Sequence, residues 1–494
     1  MKLSELLAGM ATVEPHADTE ITGLSLDSRS IVPGECFVAL RGAHADGARF
    51  VAGAIAAGAR AVLAECDTVL PRAGVPVVHV RDLRAAAGRI AARMYGDPSR
   101  RLAVLGVTGT NGKTTVSWIL AQSLAHLDGR GPCALIGTLG SGLPGELIPT
   151  GLTTPDAITL QRTLADFAAR GVRAAAIEVS SHALEQDRTE GVRFACAVFT
   201  NLTRDHLDYH ADMQAYGAAK ARLFRAEGLD RAVVNLDDGF GCSLAREAAG
   251  RIAIHGYTVD GTTLPGLAGI ARARRIDAGV AVTRIALEYG GRALEIRTRL
   301  AGRYNVSNLL ACLATLAALG VDPDAAAEVL SRAGPPPGRM EPFGGGDAPL
   351  VLVDYAHTPD ALTKALAAAR SLGAGGRLWC VFGCGGNRDP GKRAPMGAIA
   401  AASADRVILT SDNPRYEEPE RIMDDIELGM TGSGPFAREP DRRLAIRLAV
   451  SNAAPGDVVL VAGKGHEDYQ QVGDARAAFS DRAEVLAALR EWRR

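Results

Sequence analysis

Residues 104–115 read Val-Leu-Gly-Val-Thr-Gly-Thr-Asn-Gly-Lys-Thr-Thr, an apolar run that breaks into a glycine-rich turn ending Gly112-Lys113-Thr114. Those residue types in that order suit a nucleoside triphosphate. Glycines let backbone N–H groups converge on phosphate oxygens, and a following helix directs its positive end at them. Lys113 can reach the β- and γ-phosphates, and the Thr114 hydroxyl can ligate Mg²⁺. Gly109, Thr110, Asn111, Gly112 and Thr115 complete the expected cradle. The generic pattern places a glycine at 107, where this chain has Val107 between Gly106 and Gly109, so the loop is a variant.

Two further stretches carry residues able to hold a hard cation. Ala176-Ile177-Glu178-Val179-Ser180-Ser181-His182 sets a carboxylate at the carboxyl end of an expected parallel strand, the edge where such sheets bind ligands. Thr200-Asn201-Leu202-Thr203-Arg204-Asp205-His206-Leu207-Asp208-Tyr209-His210 follows the next strand in the same way. A cation that bridges phosphates takes oxygen ligands, with an occasional imidazole. Glu178 alone reads as a solvated strand-end charge; one strand from a phosphate loop it reads as a ligand. His206 reads equally as a hydrogen-bonded structural histidine or as a ligand. Lys220, within Tyr216-Gly217-Ala218-Ala219-Lys220, reads by itself as an exposed helix lysine. Three later runs are too polar and too patterned for plain loops: 354–360, Ser411-Asp412-Asn413-Pro414-Arg415, and Gly463-Lys464-Gly465-His466-Glu467. Each follows a strand candidate, although Asp412-Asn413-Pro414-Arg415 also fits a Pro-containing turn.

Positioning these groups requires alternating strands and helices. Strands are expected over residues 102–107, 174–179, 195–200 and 231–235, separated by helical patterns, which implies βαβ units and a parallel sheet. Residues 1–98 alternate short strands with Ala-rich helices at 48–58 and 83–95, and close on Gly96-Asp97-Pro98. From 265 to 300 the pattern turns β-rich, at 280–289 and 293–299, before an apolar helix at 305–319. Pro335-Pro336-Pro337-Gly338 is the clearest linker. After it come strands at 350–354 and 378–383 and a Rossmann-like alternation without Gly-x-Gly-x-x-Gly. The expected fold class is α/β with three domains: an N-terminal α/β domain (1–98), a central P-loop ATPase domain with a parallel sheet (99–337) and a C-terminal Rossmann-like domain (338–494).

Composition narrows the classes. A chain of 494 residues is too long for one core, and 47% hydrophobic with 22% charged residues fits a globular enzyme. A net charge of −1 gives no electrostatic footprint for nucleic acid or an anionic membrane. Residues 309–319 are too short to span a bilayer and read as a buried helix. Glu5 interrupts the first apolar run, which has no small-residue cleavage site, against a signal peptide. The eight cysteines include no Cys-x-x-Cys, against a zinc ribbon or disulfide framework, and Cys380 and Cys384 read as buried thiols near a strand end. These features point to the cytoplasm.

Together, the runs at 109–115, 178–182, 205–210 and 412–415 closely resemble the Mur ligases, over the whole chain from Asp27-Ser28-Arg29 to Glu467. The resemblance implies a UDP-sugar-binding N-terminal domain, a central ATPase and a mobile C-terminal domain that admits the amino acid. It implies an ATP-dependent ligase of peptidoglycan precursor synthesis. That ligase adds meso-diaminopimelate to UDP-N-acetylmuramoyl-L-alanyl-D-glutamate through an acyl phosphate, with no nucleic acid and no membrane insertion. It also implies that Lys220 becomes a CO₂-derived carbamate and helps bind Mg²⁺, which replaces the reading of an exposed helix lysine. Lys113, Glu178, His206 and Lys220 would be catalytic, with Thr114, Glu178, His206 and carbamylated Lys220 holding the metal. Asn305, Arg339 and Asp354 match positions near the nucleotide. Ser28, His44, Thr153, Thr154, Ser180, Gln186 and Arg188 match those contacting the UDP-dipeptide. Arg388, Asp412, Asn413, Pro414, Arg415, Gly463 and Glu467 match those around the diamino acid. There Arg415 would hold the second carboxylate as a planar fork and Glu467 the distal ammonium.

Rival readings exist within and outside that superfamily. A folylpolyglutamate synthase or a ligase adding D-alanyl-D-alanine is disfavoured by Asp412-Asn413-Pro414-Arg415 and Glu467, which suit an amino acid with a second charged end. A phosphotransferase or motor-type P-loop ATPase would leave the C-terminal polar runs unexplained. A non-catalytic scaffold is disfavoured because no expected active-site residue is replaced.

Overall fold

The computed structural model describes residues 1–42, 46–68, 70, 74–277, 282–373, 375–430 and 436–492. Its contacts divide the chain into two compact units. The first comprises Met1–Thr108, Leu124–Ala197 and Ala219–Asp230, and the second Gly109–Ser123, Val198–Ala218 and Arg231–Arg494.

In the first unit, the strands Leu24–Ser25, Cys36–Ala39, Ala61–Glu65 and Val77–Val80 pair in chain order as an all-parallel sheet. Every residue of Cys36–Ala39 is buried, as a strand covered on both faces requires. Cys36 and Val38 face a core with Leu3, Leu6, Leu63 and Ile90, while Phe37 and Ala39 face Val51, Ala54 and Val62. In the same unit Ala103–Thr108 and Cys133–Gly137 flank Ala174–Glu178 in parallel, and Gly140–Gly142 adds an antiparallel edge. The helix Ala157–Ala169 packs on Leu83–Met94. Its N-terminus is capped by Asp156, which accepts from the N–H groups of Ile158 and Thr159. Gly88 of the second helix lets the chain at Glu190 approach closely: a Cβ there would lie 2.0 Å from the Glu190 carbonyl oxygen.

In the second unit, Arg231–Asn235, Ala253–Thr258 and Gly269–Asp277 run parallel, and Thr283–Tyr289 and Arg292–Thr298 continue antiparallel. Gly290 and Gly291 join the last two strands with φ of 59° and 80°, the signs that a two-residue hairpin turn needs. The helix Arg303–Ala318 packs on the three parallel strands and buries residues around nearly its whole circumference. A second sheet follows, ordered Glu341–Gly344, Leu350–Asp354, Val458–Ala462, Leu378–Phe382, Arg406–Leu409 and Phe436–Arg438, antiparallel only at its first pair. Apolar clusters cover both its faces. Its four central strands point their carboxyl ends the same way, so the loops beginning at Tyr355, Gly383, Thr410 and Gly463 share one edge.

The strands expected at 231–235 and 350–354 occur with those limits, and the others shift by one or two residues. The 48–58 helix divides into a 3₁₀ turn, Gly47–Phe50, and an α-helix, Val51–Ala56. Val280 and Ala281, at the start of the expected 280–289 strand, lie outside the described residues.

The carboxyl edge of the second sheet is held from behind by an ion pair. Arg442 and Asp481, the first residues of Arg442–Asn452 and Asp481–Trp492, have fully buried side chains joined by two contacts of 2.7 Å. Arg442 also donates to the carbonyl oxygens of Ala462 at 2.9 Å and Ser411 at 3.4 Å. Removing one member leaves a buried charge alone, a loss of about 3–5 kcal/mol. Arg442→Met should therefore lower the chemical-denaturation midpoint sharply, and Arg442→Met with Asp481→Leu should recover much of the loss; equal midpoints for the single variant and wild type would count against this role.

Candidate active site

The phosphate loop leaves the strand Ala103–Thr108 and enters the helix Lys113–Ala125. Gly109 has φ +147°, and a Cβ on it would fall 1.9 Å from Thr200 Oγ1; at Gly112, φ +87°, a Cβ would fall 2.6 Å from Asn308 Oδ1. Neither position accepts a side chain. Lys113 Nζ donates to the carbonyl oxygens of Gly109 and Thr110, both at 2.8 Å. The Asn111 amide N–H donates to Asn201 Oδ1 at 3.0 Å, and its Nδ2 donates to Asp360 Oδ2 at 2.9 Å. Thr110 Oγ1 lies 3.2 Å from the Tyr216 hydroxyl, and Thr115 is buried.

The expected nucleotide residues gather around this loop. Arg339 Nη2 donates to Thr114 Oγ1 at 3.2 Å, and its guanidinium lies over the Tyr355 ring at 4.3 Å. Asp354 accepts from the Met340 N–H at 2.7 Å. Desolvation raises the Asp354 carboxyl above its ordinary pKa, against the opposing charge of Arg339. Asn305 Oδ1 accepts from Asn308 Nδ2 at 3.1 Å, beside Gly112. His206 has φ +55°, and its Nε2 lies 3.5 Å from Asp205 Oδ2. Desolvation works to raise Asp205, but His206, His357 and Lys113 outweigh it and hold that carboxyl below the usual value.

Within the first unit, Glu178 is fully buried at the end of its strand. Its Oε1 accepts from the Thr138 N–H at 2.8 Å and its Oε2 from Thr138 Oγ1 at 3.1 Å. Thr138 Oγ1 lies 3.1 Å from Thr153 Oγ1. Thr154 Oγ1 donates to the Glu178 carbonyl at 2.7 Å and accepts from the Ser180 N–H at 3.1 Å. Arg188 donates to the Thr154 carbonyl at 2.9 Å and to Gln186 Oε1 at 2.7 Å. Five of the seven residues expected around a UDP-dipeptide thus form one hydrogen-bonded group. Ser28 sits apart in the turn after Leu24–Ser25, beside the Asp27–Arg29 ion pair, and His44 lies outside the described residues. Lys220 is 1% exposed, so the reading of a solvent-facing lysine is incorrect: the helix Met213–Ala221 turns this position inward.

The residues expected around the diamino acid occupy the shared carboxyl edge of the second sheet. Asn413 Nδ2 donates to Glu467 Oε2 at 2.8 Å, and Arg415 Nη1 donates to the Gly386 carbonyl at 2.8 Å. Pro414 turns the chain toward Gly386, at which a Cβ would lie 2.0 Å from the Pro414 oxygen. Arg388 is exposed on the same 383–389 loop. A Cβ on Gly463 would lie 2.7 Å from Asp412 Oδ2, and the Gly463 N–H donates to the Asp354 carbonyl at 3.0 Å. That last bond continues the pairing of the two strands and ties Asp354, expected near the nucleotide, to the loop expected to take the amino acid.

Three segments match family domains: 20–95 the Mur ligase catalytic domain, 107–316 the Mur ligase middle domain, and 338–465 the Mur ligase glutamate ligase domain. Over 99% of its length the chain is 49% identical to the UDP-N-acetylmuramoyl-L-alanyl-D-glutamate–2,6-diaminopimelate ligase of Alkalilimnicola ehrlichii, of which it covers 99%. The chain belongs to the Mur ligase family. The similarly named ligase of Chromobacterium violaceum is 49% identical over 96% of this chain and 95% of its own. A solved structure of a ligase with the same description superposes with a TM-score of 0.72 at 36% identity, covering 100% of this chain and 99% of that one.

Against this Mur ligase background, Thr138, beside Glu178 in the first unit, and Asp360, His357 and Lys464 in the second are polar residues that the motifs did not single out. The last three lie inside quoted runs, but only their contacts give them roles. His357 Nδ1 lies 2.8 Å from the Tyr355 carbonyl, which can only accept, so Nδ1 carries the hydrogen. Burial, then the nearby Lys392 ammonium, lowers its pKa from 6.5 to about 4. The unfolded chain therefore takes up a proton between those values that the folded protein refuses. The stability of the neutral form is complete above pH 6.5 and falls as pH drops toward 4, by about 2–3 kcal/mol. Denaturation midpoints measured across that window should fall less steeply for His357→Gln than for wild type, and parallel slopes would refute the assignment.

Proposed function

We propose that the protein joins meso-diaminopimelate to UDP-N-acetylmuramoyl-L-alanyl-D-glutamate at the expense of ATP, in the cytoplasmic synthesis of peptidoglycan precursors. The observation that carries this reading is the Gly463–Asp354 bond, 3.0 Å long, between loops rich in paired charges and residues grouped with the phosphate loop. Family membership and the identity to ligases named for this reaction support it. We further propose three domains, at 1–98 for the UDP-sugar, 99–337 for ATP and 338–494 for the amino acid.

A carboxylate is a poor acyl donor. In the proposed reaction, an oxygen of the D-glutamyl γ-carboxylate attacks the γ-phosphorus of ATP and ADP leaves. The amino-acid nitrogen then attacks the acyl carbon, loses a proton, and phosphate departs from the tetrahedral intermediate. Gly109, Thr110, Asn111, Gly112, Thr114 and Thr115 present the loop, and Lys113 supplies positive charge to the transferring phosphoryl group. Asn305, Arg339 and Asp354 orient the nucleotide. Ser28, His44, Thr153, Thr154, Ser180, Gln186 and Arg188 receive the UDP-dipeptide. Arg388, Asp412, Asn413, Pro414, Arg415, Gly463 and Glu467 receive the diamino acid.

Thr114, Glu178, His206 and Lys220 as a carbamate suit Mg²⁺, being oxygen donors with one imidazole. Glu178 is already oriented by two donors from Thr138, as metal-binding carboxylates are. A cation held by these residues would supply charge neutralisation for the phosphates. Carbamylation turns the buried Lys220 from a cation into an anion. Enzyme equilibrated with ¹³C-bicarbonate should show a carbamate carbon resonance that is missing from Lys220→Ala; a wild-type spectrum without it would contradict the modification.

Phosphate release should require both the UDP-dipeptide and an amino acid, which a phosphotransferase or plain ATPase would not show. Replacement of Arg415 should selectively harm use of diaminopimelate. Against L-lysine, the missing second carboxylate leaves this arginine without its anion, about 2–5 kcal/mol or roughly 30- to several-thousand-fold. The ratio of kcat/KM for the two amino acids should collapse in Arg415→Ala; an unchanged ratio would place selection elsewhere.

A further inference from the structure

Lys464 has no exposed side-chain surface, yet it stands among the proposed amino-acid contacts. Its Nζ donates to Asn413 Oδ1 at 3.0 Å and to Glu467 Oε2 at 2.9 Å, and lies 3.8 Å from Asp412 Oδ1. The Tyr469 ring closes over it, 5.5 Å from Nζ to the centroid. Asn413 Nδ2 also donates to Glu467 Oε2, at 2.8 Å, so lysine, amide and carboxylate form a closed ring. The ring fixes the amide: lysine only donates and glutamate only accepts, so Asn413 must turn its oxygen to Lys464 and its nitrogen to Glu467. The Gln471 N–H donates to the same Asn413 oxygen at 3.0 Å, which agrees with that orientation.

One carboxylate oxygen of Glu467 is therefore engaged twice. The other, Oε1, has no hydrogen-bond partner among the described residues, and the Glu467 side chain is 17% exposed. Asp412 and Glu467 both face Lys464, and both carboxylates also lie in the field of the buried Arg442 that Asp481 pairs.

We propose that Lys464 is the positioning residue that makes this pocket select an amino acid with one distal ammonium. It holds Asn413 and Glu467 in register, removes Oε2 from the binding surface and leaves Oε1 for the substrate's ammonium. The inference rests on the amino-acid pocket proposed above. Without Lys464, Glu467 loses the ammonium that orients its Oε2.

The test is a double-mutant cycle of Lys464→Met and Glu467→Gln, read as KM and kcat for meso-diaminopimelate, ATP and the UDP-dipeptide. Lys464→Met should raise KM for diaminopimelate by about 30-fold or more. KM for ATP and the UDP-dipeptide should hold within about threefold, and the substitution should add little in the Glu467→Gln background. In Lys464→Ala, added ethylammonium should restore part of the loss in a saturable way, a readout that also serves if the methionine variant folds poorly. Additive effects, a parallel rise in all three KM values, or no amine rescue would overturn the proposal. Wild-type enzyme that used a different amino acid would refute the substrate reading instead, and the same cycle run with that amino acid would still test Lys464.

Discussion

A single guanidinium, that of Arg339, connects chemistry that the sequence keeps far apart. It donates to Thr114 at the start of the phosphate-loop helix and lies over Tyr355 at the end of a strand in the second sheet. It also offsets the charge of Asp354, whose carbonyl receives the Gly463 N–H of the amino-acid loops. Each contact is local. In the proposed reaction their sequence would matter, because acyl phosphate and amine must meet within bonding distance and a small displacement of either reactant is costly in rate. Arginine serves here better than lysine would, since a planar fork can donate, stack and pair with charge at once.

The amino-acid end is organised by charge rather than by shape alone. Buried ions are costly unless each is paired and hydrogen-bonded. The structure meets that demand in two layers. Arg442 with Asp481 is internally neutral and anchors carbonyls at two strand ends. Beside it, the buried Lys464 pairs with Glu467 at 2.9 Å and lies 3.8 Å from Asp412.

Much of the architecture was legible in the sequence because parallel strands buried on both faces read as short apolar runs. The strand at 350–354 and the helix near 305–319 are examples, found as Leu350–Asp354 and Arg303–Ala318. The phosphate loop was legible because Gly109 and Gly112 are dictated locally by neighbours a side chain would strike. Lys220 was misread from its own helix, since nine residues of small and mixed side chains carry no clear amphipathic period. Lys464 and Asp360 lie in the polar runs 463–467 and 354–360, where local sequence gives neither a role. Their partners, Asn413 and Asn111, are 51 and 249 residues away, and no local pattern reports such pairings. Thr138 was missed for the same reason: orienting Glu178 across a sheet needs only a hydroxyl and a backbone N–H.

Lys113 bears a consequence for phosphate binding. Its ammonium already satisfies the carbonyl oxygens of Gly109 and Thr110, each at 2.8 Å. A phosphate that recruited this lysine would compete with the loop's own carbonyls, so the gain would be a difference between two sets of bonds.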